Sequence, residues 1–427
     1  MKLLIQNCTW IHPGEPYSGE TISIRIRDGK ISEIGQQLKT THDEELIDAS
    51  GHFASPGWID LKCGKGSPTQ PQNETATSLS VAAAAGGFTS VQISPEQKTI
   101  IQSVESVSYF RNYANENGVR FIVSAAATQN LQGCKMAEIL TLAEAGASSF
   151  SSAFPITNAR FMTNLLLYMQ HADTVLFHSS WDPMLATGQI HEGNVAHNRG
   201  LEGIPSLAEE IMVERDISIL HYTQGKLHIP CVSAAGSVQK LVQGKKQLPG
   251  LSFSVAAHQL LFTDNELDSF ETVHKVFPPY RLETDRLALI EAVKSGEVDT
   301  IVSDHTPLHS DFKVIEFGNA SFGISSLETT YSALMTAIPD LSVETQVNLL
   351  VNGPHNVLGI APYKLQEGVQ ADFTIFSPQK VWTPNENNWQ SRSRNSPFFG
   401  RPLNGAVIGV ITSTGYHPNP HLAEPTS

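Results

Sequence analysis

Apolar and polar residues alternate with a period of two in the first 53 positions of the chain. The alternation is clearest in the runs Leu3–Ile5, Ile22–Ile26 and Lys30–Ile34, and Arg27-Asp28-Gly29 separates the last two. Successive side chains of a strand point to opposite faces, and an Asp-Gly pair is typical of a tight hairpin turn. The pattern therefore predicts a meander of short strands.

From Phe53 the pattern changes to nearly continuous apolar runs that alternate with helix-like segments. The runs Phe88–Ile93, Val119–Val123 and Thr300–Val302 are rich in β-branched residues, which is typical of parallel strands covered on both faces. Eight such strands are predicted, and they end near Leu61, Ser94, Ala126, Ser152, His178, Ser233, Ala257 and Asp304.

Two of the intervening segments carry clear helix signals. Ser206 and Glu209 have the spacing of a capping box, and an apolar stripe runs from Leu287 to Val293 through Leu289 and Ile290. Eight strand–helix units predict an α/β protein with a (β/α)8 TIM barrel. A doubly wound sheet would also alternate in this way, but the chain has neither G-x-G-x-x-G nor a Walker motif.

Strand-like texture returns near the end of the chain, in Ala371–Phe376 and Gly405–Ile411. Two isolated meanders would be marginally stable by themselves. We therefore expect residues 1–53 and 361–427 to form one composite β-sandwich beside a barrel built from residues 54–360.

Composition restricts the function classes further. The formal charge of -14 argues against non-specific nucleic-acid binding, which needs a basic surface. The four cysteines are widely spaced and form no C-x-x-C pair, so they predict neither a disulfide framework nor a zinc finger. No apolar run approaches the ~20 residues of a membrane span, and the first residues do not read as a signal peptide. We expect a cytoplasmic protein that is not bound to a membrane.

A series of short motifs makes the chain resemble a known family. In order they are Pro56–Leu61, Gly86–Val91, His191–Gly193, Gly203–Glu209, Lys275–Arg281, Ser303–Pro307, Phe322–Ile324 with Leu327–Thr329, and Asn395–Phe398. Together they resemble the dihydroorotases, amidohydrolases of pyrimidine biosynthesis, and particularly the bacterial type that associates with aspartate carbamoyltransferase. The resemblance implies reversible hydrolysis of dihydroorotate to carbamoyl-aspartate. That chemistry needs a metal that activates water, a carboxylate that moves protons, and cations that hold the substrate carboxylate.

Several positions that would carry metal ligands in this family hold other residues. The first strand would supply two histidines, where this chain has Lys62 and Gly64. The fourth strand would supply a carbamylated lysine or an aspartate, where Ser151 and Ser152 provide only hydroxyls. The resemblance therefore implies a degenerate metal site.

Three potential ligands remain, on the fifth, sixth and eighth strands. They are His178, Cys231 in place of a histidine, and Asp304, which corresponds to the family's ligand and proton shuttle. A thiolate binds zinc, so a tetrahedral mono-zinc site with one open position is conceivable. The alternative, which we favour, is that His178 and Asp304 form a hydrogen-bonded pair in a barrel that no longer binds metal.

The expected substrate contacts are replaced as well. Where the family has an arginine, this chain has Gly66, and where the family has two asparagines it has Glu96 and Phe277. Leu308 replaces a histidine, although His309 is adjacent. Glu96 would repel a substrate carboxylate, because like charges disfavour each other. Loss of the metal ligands together with the anion contacts predicts that the original reaction has been lost.

Two functions remain open from the sequence. The first is a non-catalytic homologue without a metal, an oligomer that serves aspartate carbamoyltransferase as a structural or regulatory partner. The loops Gly188–Gly203 and Phe317–Leu327 would provide the contacts, and Lys62 would replace the charge of the metal beside Asp304 and Glu96. The second is an active dihydroorotase or related cyclic amidohydrolase that uses an unusual mono-zinc site, with Asp304 as its catalytic residue.

Overall fold

The structure, a computed structural model, describes residues 2–64, 70–95 and 100–422. The strands are β1 (Lys2–Trp10), β2 (Thr21–Arg27), β3 (Lys30–Gly35), β4 (Glu45–Asp48), β5 (Phe53–Pro56), β6 (Trp58–Cys63), β7 (Phe88–Ile93), β8 (Arg120–Ala126), β9 (Ser149–Ser152), β10 (Val175–His178), β11 (Ile190–His191), β12 (Gly203–Ile204), β13 (Leu227–Ile229), β14 (Leu251–Ala256), β15 (Thr300–Val302), β16 (Phe373–Trp382), β17 (Leu403–Thr412) and β18 (Gly415–Pro418). The α-helices are α1 (Ala76–Ala85), α2 (Val104–Arg111), α3 (Ile139–Glu144), α4 (Ala159–Met169), α5 (Asn194–Arg199), α6 (Leu207–Thr223), α7 (Ala235–Lys245), α8 (Glu283–Lys294), α9 (Thr330–Ala337), α10 (Val343–Val347) and α11 (Gly353–Leu358).

The predicted barrel is confirmed. Eight parallel strands lie in the order β6-β7-β8-β9-β10-β13-β14-β15, each hydrogen-bonded to the next. Their apolar side chains are buried, because one face meets the barrel interior and the other meets the surrounding helices. The sixth of these strands ends at Ile229, earlier than the predicted end at Ser233.

Closure of the barrel depends on a buried carboxylate. A single bridge joins Cys63 of the first barrel strand to His305 beyond the last one. Beside it, the Asp60 carboxylate accepts hydrogen bonds from the Ser303 amide (3.0 Å), the Ser303 hydroxyl and the Lys62 amide (3.3 Å). Because Asp60 is fully buried, its pKa is raised to about 6.

The terminal segments meet in a second sheet, as expected. Its strand order is β18-β17-β16-β5-β1-β2-β3, with β4 also paired to β1. Asp28 and Gly29 both have positive φ, 50° and 74°, which confirms the predicted hairpin turn between β2 and β3. Residues 53–56 form β5, which pairs with β16 in this sheet, so the barrel strands begin at Trp58.

The Pro56-Gly57-Trp58 motif joins the two sheets. A Cβ atom at Gly57 would lie 2.0 Å from Oγ1 of Thr89, so only glycine fits there. The fully buried ring of Trp58 contacts the rings of Tyr331 and Phe376, with centroid distances of 4.8 and 5.2 Å. This part of the motif therefore has a packing role that is independent of any catalytic chemistry.

One helix prediction is confirmed and one is wrong. The stripe on α8 is largely correct, since Leu289 and Val293 are buried while Leu287 stays half exposed. The capping box of α6 does not form, because Ser206 has helical backbone angles and makes no side-chain cap. The Glu209 carboxylate instead accepts hydrogen bonds from the amides of Ser233 and Ala234. Within the described part of the chain, no helix is both long and apolar enough to cross a membrane.

Candidate active site at the barrel mouth

The predicted site positions that the structure describes lie mostly at the carboxyl ends of the barrel strands. A cavity of about 140 Å³ there is lined by Lys62, Glu209, Cys231, Arg281 and Asp304, with apolar side chains between them. A wider cleft of about 580 Å³ shares Lys62 and Phe277 with it and extends over Gly64, Ser151 and Ser152. Active sites of barrels of this kind lie at this end, so the mouth is the candidate site.

Cys231 and Asp304 lie next to each other in this cavity. Both have positive φ, 54° and 51°, a conformation that is uncommon for residues other than glycine and often marks functional positions. Burial raises the pKa of the Cys231 thiol well above its usual value, and the charge of Asp304 and a hydrogen bond to its carboxylate act in the same direction. The positive charge of Lys62 opposes this shift without reversing it. The thiol donates a hydrogen bond to the Asp304 carboxylate, so its proton would have to be displaced before the sulfur could bind a metal.

His178 is fully buried and lines neither cavity. The amide of Ile156 donates to its Nε2 at 2.8 Å, so this nitrogen carries no proton and its lone pair is occupied. Its Nδ1 lies 2.8 Å from the carboxylate of Asp216, which is held on the other side by Arg215. Both ring nitrogens thus have protein partners. The predicted pair of His178 with Asp304 is wrong, since the carboxylate partner of His178 is Asp216.

The positions predicted to have lost metal ligands, Lys62, Gly64, Ser151 and Ser152, line the wider cleft. Lys62 places its cation close enough to Cys231 to act on the pKa of the thiol in the lowering direction, and its role as a replacement charge stays a prediction. The amide of Gly64 donates to the His305 carbonyl at 2.8 Å, which helps to close the barrel. Ser151 and Ser152 line the cleft, and the Ser152 hydroxyl is buried without a hydrogen-bond partner among the described residues.

The replaced substrate positions divide into two groups. Phe277 lies over the mouth, where its ring contacts those of Trp181 and Phe322 with centroid distances of 4.8 and 5.7 Å. Leu308 lines neither cavity. The neighbouring His309 directs its Nδ1 toward Asp311 at 3.2 Å, where it does not compensate at the mouth. Gly66 and Glu96 lie outside the described residues.

These donors do not fit a catalytic metal ion. Across residues 2–64, 70–95 and 100–422, no three His, Cys, Asp or Glu side chains converge in an arrangement that could hold a metal. The Nε2 of His178 accepts the Ile156 amide, and the Cys231 thiol donates to the Asp304 carboxylate. The conceivable zinc site of His178, Cys231 and Asp304 is therefore not assembled in this structure.

Three residues that could have a functional role were not recognised in the sequence. Arg281 is buried and donates to the Ser233 hydroxyl at 3.1 Å, while its Nη2 lies 3.8 Å from the Glu209 carboxylate. His258 is buried beside Asp304, 3.6 Å from its carboxylate, with no hydrogen-bond partner for either ring nitrogen among the described residues. Of the three, Asp216 could most easily have been recognised from the sequence. It lies on the buried stripe of α6, where an acidic residue needs a partner.

Known proteins resemble this chain over nearly its whole length. The family model for dihydro-orotase-like proteins matches residues 51–237. A dihydroorotase of Syntrophus aciditrophicus is 33% identical over 96% of this chain and 98% of its own length, and one of Pelotomaculum thermopropionicum is 34% identical over 96% and 97%.

Solved structures show the same fold. An L-hydantoinase of Arthrobacter aurescens has a TM-score of 0.85 at 20% identity, covering 97% of this chain and 95% of its own. A D-hydantoinase of a Thermus species has a TM-score of 0.80 at 19% identity, covering 97% and 94%. At such low identity the likeness concerns the fold alone.

Proposed function

Because the chain belongs to the dihydroorotase family, we propose that it is a non-catalytic member that acts as a structural or regulatory partner of aspartate carbamoyltransferase. The inference that catalysis has been lost rests on one observation: the Nε2 lone pair of His178 accepts the amide hydrogen of Ile156. This histidine is a retained ligand position, yet it serves the internal hydrogen-bond network. Together with Lys62 and Gly64, which replace two histidines, it leaves the mouth without a ligand set.

Without a set of metal ligands, the residues at the mouth do not support hydrolysis by metal-activated water. A bound metal generates a nucleophile by lowering the pKa of water from 15.7 to about 7. At this mouth Asp304 lies beside the Cys231 thiol and 3.6 Å from the His258 ring, and Arg281 lies 3.8 Å from the Glu209 carboxylate, so water activation would depend on a side-chain base. A side-chain carboxylate alone contributes only about 10²–10⁴-fold as a general base.

The loops proposed for the partner contact are held rigidly by two buried lysines. The ammonium of Lys275 binds the Gln189 side chain and the Phe317 carbonyl, so one cation ties together both loops. The ammonium of Lys313 binds the carbonyls of Ser321 and Gly323 at 3.0 and 2.9 Å. A surface held in this way loses little conformational entropy on binding, which favours recognition of a partner.

The catalytic part is tested with the purified full-length chain. Its zinc content is measured by elemental analysis, and ring opening of dihydroorotate is followed in the presence of added zinc, with a dihydroorotase relative as the positive control. We expect substoichiometric zinc and no turnover above the uncatalysed rate. Stoichiometric zinc that disappears in Cys231→Ala, together with turnover, would refute the proposal.

The partner part is tested by sedimentation of the chain with the aspartate carbamoyltransferase of the same organism. Asn198 and Asn319 are exposed, one on each loop, so Asn198→Arg with Asn319→Arg should weaken the complex at least tenfold. Asn112→Arg with Asn387→Arg changes the same charge on exposed positions elsewhere and should leave it unchanged. Absence of a complex would refute the partner role while leaving the catalytic result intact.

The second candidate is an active dihydroorotase or related cyclic amidohydrolase with an unusual zinc site. The contact between Cys231 and Asp304 at the mouth favours it, because these two groups would hold a metal if the thiol were deprotonated. It requires the Nε2 of His178 to release the Ile156 amide, whereas the contact of Nδ1 with Asp216 is compatible with metal binding. The zinc measurement separates the two candidates directly.

A further inference from the structure

A second large groove lies at the opposite end of the barrel from the candidate active site. It has a volume of about 640 Å³ and lies beside the amino ends of β7, β8 and β9, where the barrel meets residues 360–366. This is within the range of small-molecule pockets, which run from about 300 to 1,000 Å³. Catalysis in such barrels takes place at the other end, so the chemistry of the mouth does not account for this groove.

The rim of the groove is cationic although the chain as a whole carries a charge of -14. Arg111, Arg120 and Lys364 line it, and Asp372 is the carboxylate on the same wall. Asp372 pairs with Arg120, whose guanidinium also donates to the Ser90 hydroxyl at 3.0 Å. Neither Arg111 nor Lys364 forms an ion pair with a described residue, so two cations face the groove without a carboxylate partner.

The position of Arg111 is set by the backbone beneath it. Its guanidinium donates to the Ala145 carbonyl at 3.4 Å and packs over Gly146. A Cβ atom at Gly146 would lie 2.6 Å from Nη1 of Arg111, and the φ of +107° is one that residues with side chains rarely adopt. The missing side chain thus leaves room for the arginine at the rim.

The floor of the groove is apolar. Ile59 and Val123 of the barrel strands are buried beneath it, Ile122 of β8 is partly buried, and Ile360 forms one side with 39% of its surface exposed. An apolar floor with a small number of placed charges is the usual composition of a ligand pocket. A purely inorganic anion would leave this floor in contact with water.

We propose that this groove binds a small amphipathic anion, a molecule with an apolar chain or ring and a terminal phosphate or carboxylate. The apolar part lies on Ile122 and Ile360, and the anionic group is held between Arg111 and Lys364. The site is separate from the barrel mouth, so it does not depend on the metal or partner proposals.

The test uses the full-length chain and the fluorescent anion 8-anilinonaphthalene-1-sulfonate as reporter. We expect saturable binding of one equivalent, displaced by octyl phosphate or by octanoate but not by 1-octanol or inorganic phosphate at equal concentration. The more effective of the two anions identifies the preferred end group. Hydrogen exchange of residues 360–366 should slow when that anion is bound.

Charge-removing variants locate the site. Arg111→Gln with Lys364→Gln removes both rim cations and should weaken binding at least tenfold. Neither side chain forms an ion pair with a described residue, so the variant should still fold. The matched control, Arg160→Gln with Lys246→Gln, removes two exposed charges outside the groove and should bind as the wild type does. Wild-type affinity in the first pair, equal displacement by 1-octanol, or absence of saturable binding would each overturn the proposal.

Discussion

The buried carboxylate that closes the barrel predicts a specific dependence of stability on pH. Asp60 is fully buried between the first and last strands, and its pKa is raised from 3.8 to about 6. Because the folded state binds this proton more tightly than the unfolded state, Asp60 contributes stability below pH 3.8, and that contribution is lost as the pH rises through 6. A rise of about two pKa units corresponds to ~3 kcal/mol over the full range.

Substitution Asp60→Asn isolates this effect, because asparagine keeps the shape and does not titrate. Between pH 4.5 and 7.5 the wild type should lose about 2 kcal/mol of unfolding free energy relative to Asp60→Asn. Other titrating groups are common to both proteins and cancel in the comparison. Any constant difference from the altered hydrogen bonds to Ser303 also cancels, since it does not depend on pH.

The assay is urea unfolding of both proteins at several pH values, followed by circular dichroism. The matched control is Asp173→Asn, where an aspartate with 86% of its side chain exposed pairs with Lys226 at the surface. Such pairs contribute little, so the control should follow the wild type within about 0.5 kcal/mol at every pH. A constant difference between wild type and Asp60→Asn across this range would refute the assignment of a buried, titrating carboxylate.

Three further predictions follow from buried groups. His178→Ala removes the partner of the Ile156 amide and of a buried carboxylate, so it should lower the unfolding free energy by about 3 kcal/mol without changing zinc content; unchanged stability in thermal or urea unfolding would contradict this. Brief alkylation at pH 8 should label the exposed Cys134 and spare Cys231, whose pKa is raised, and peptide mass spectrometry showing equal labelling would contradict the burial. Burial lowers the pKa of Lys313 to about 7, so the folded state disfavours its charge. Between pH 6.5 and 9.5 the unfolding free energy of the wild type should therefore rise by about 3 kcal/mol relative to that of Lys313→Met. Parallel pH profiles of the two proteins in urea unfolding would contradict this.

The α/β architecture could be predicted because its signals are local. Each barrel strand is a short apolar run, and the hairpin turn at Asp28-Gly29 is encoded by the two residues that adopt positive φ. The absence of ligands at Gly64 was also visible, since a residue without a side chain cannot coordinate a metal in any fold. Such statements hold whatever the tertiary arrangement is.

The partners of the site residues could not be predicted, because they come from distant parts of the chain. His178 is held by Ile156, 22 residues earlier, and by Asp216, 38 residues later. Neither separation produces a periodic pattern that local analysis detects. The expected pairing with Asp304 failed for this reason.

The capping box on α6 shows the same competition within a single helix. Ser206 and Glu209 satisfy the local pattern. In the folded barrel, however, the Glu209 carboxylate accepts hydrogen bonds from the amides of Ser233 and Ala234 instead of forming the local cap. By itself the sequence determined the strands and the turns, since those depend on residue type and near neighbours, and for the same reason it could predict that metal ligands are replaced. The tertiary structure alone decided where each remaining polar side chain directs its hydrogen bonds, because burial obliges every such group to find a partner wherever the fold provides one.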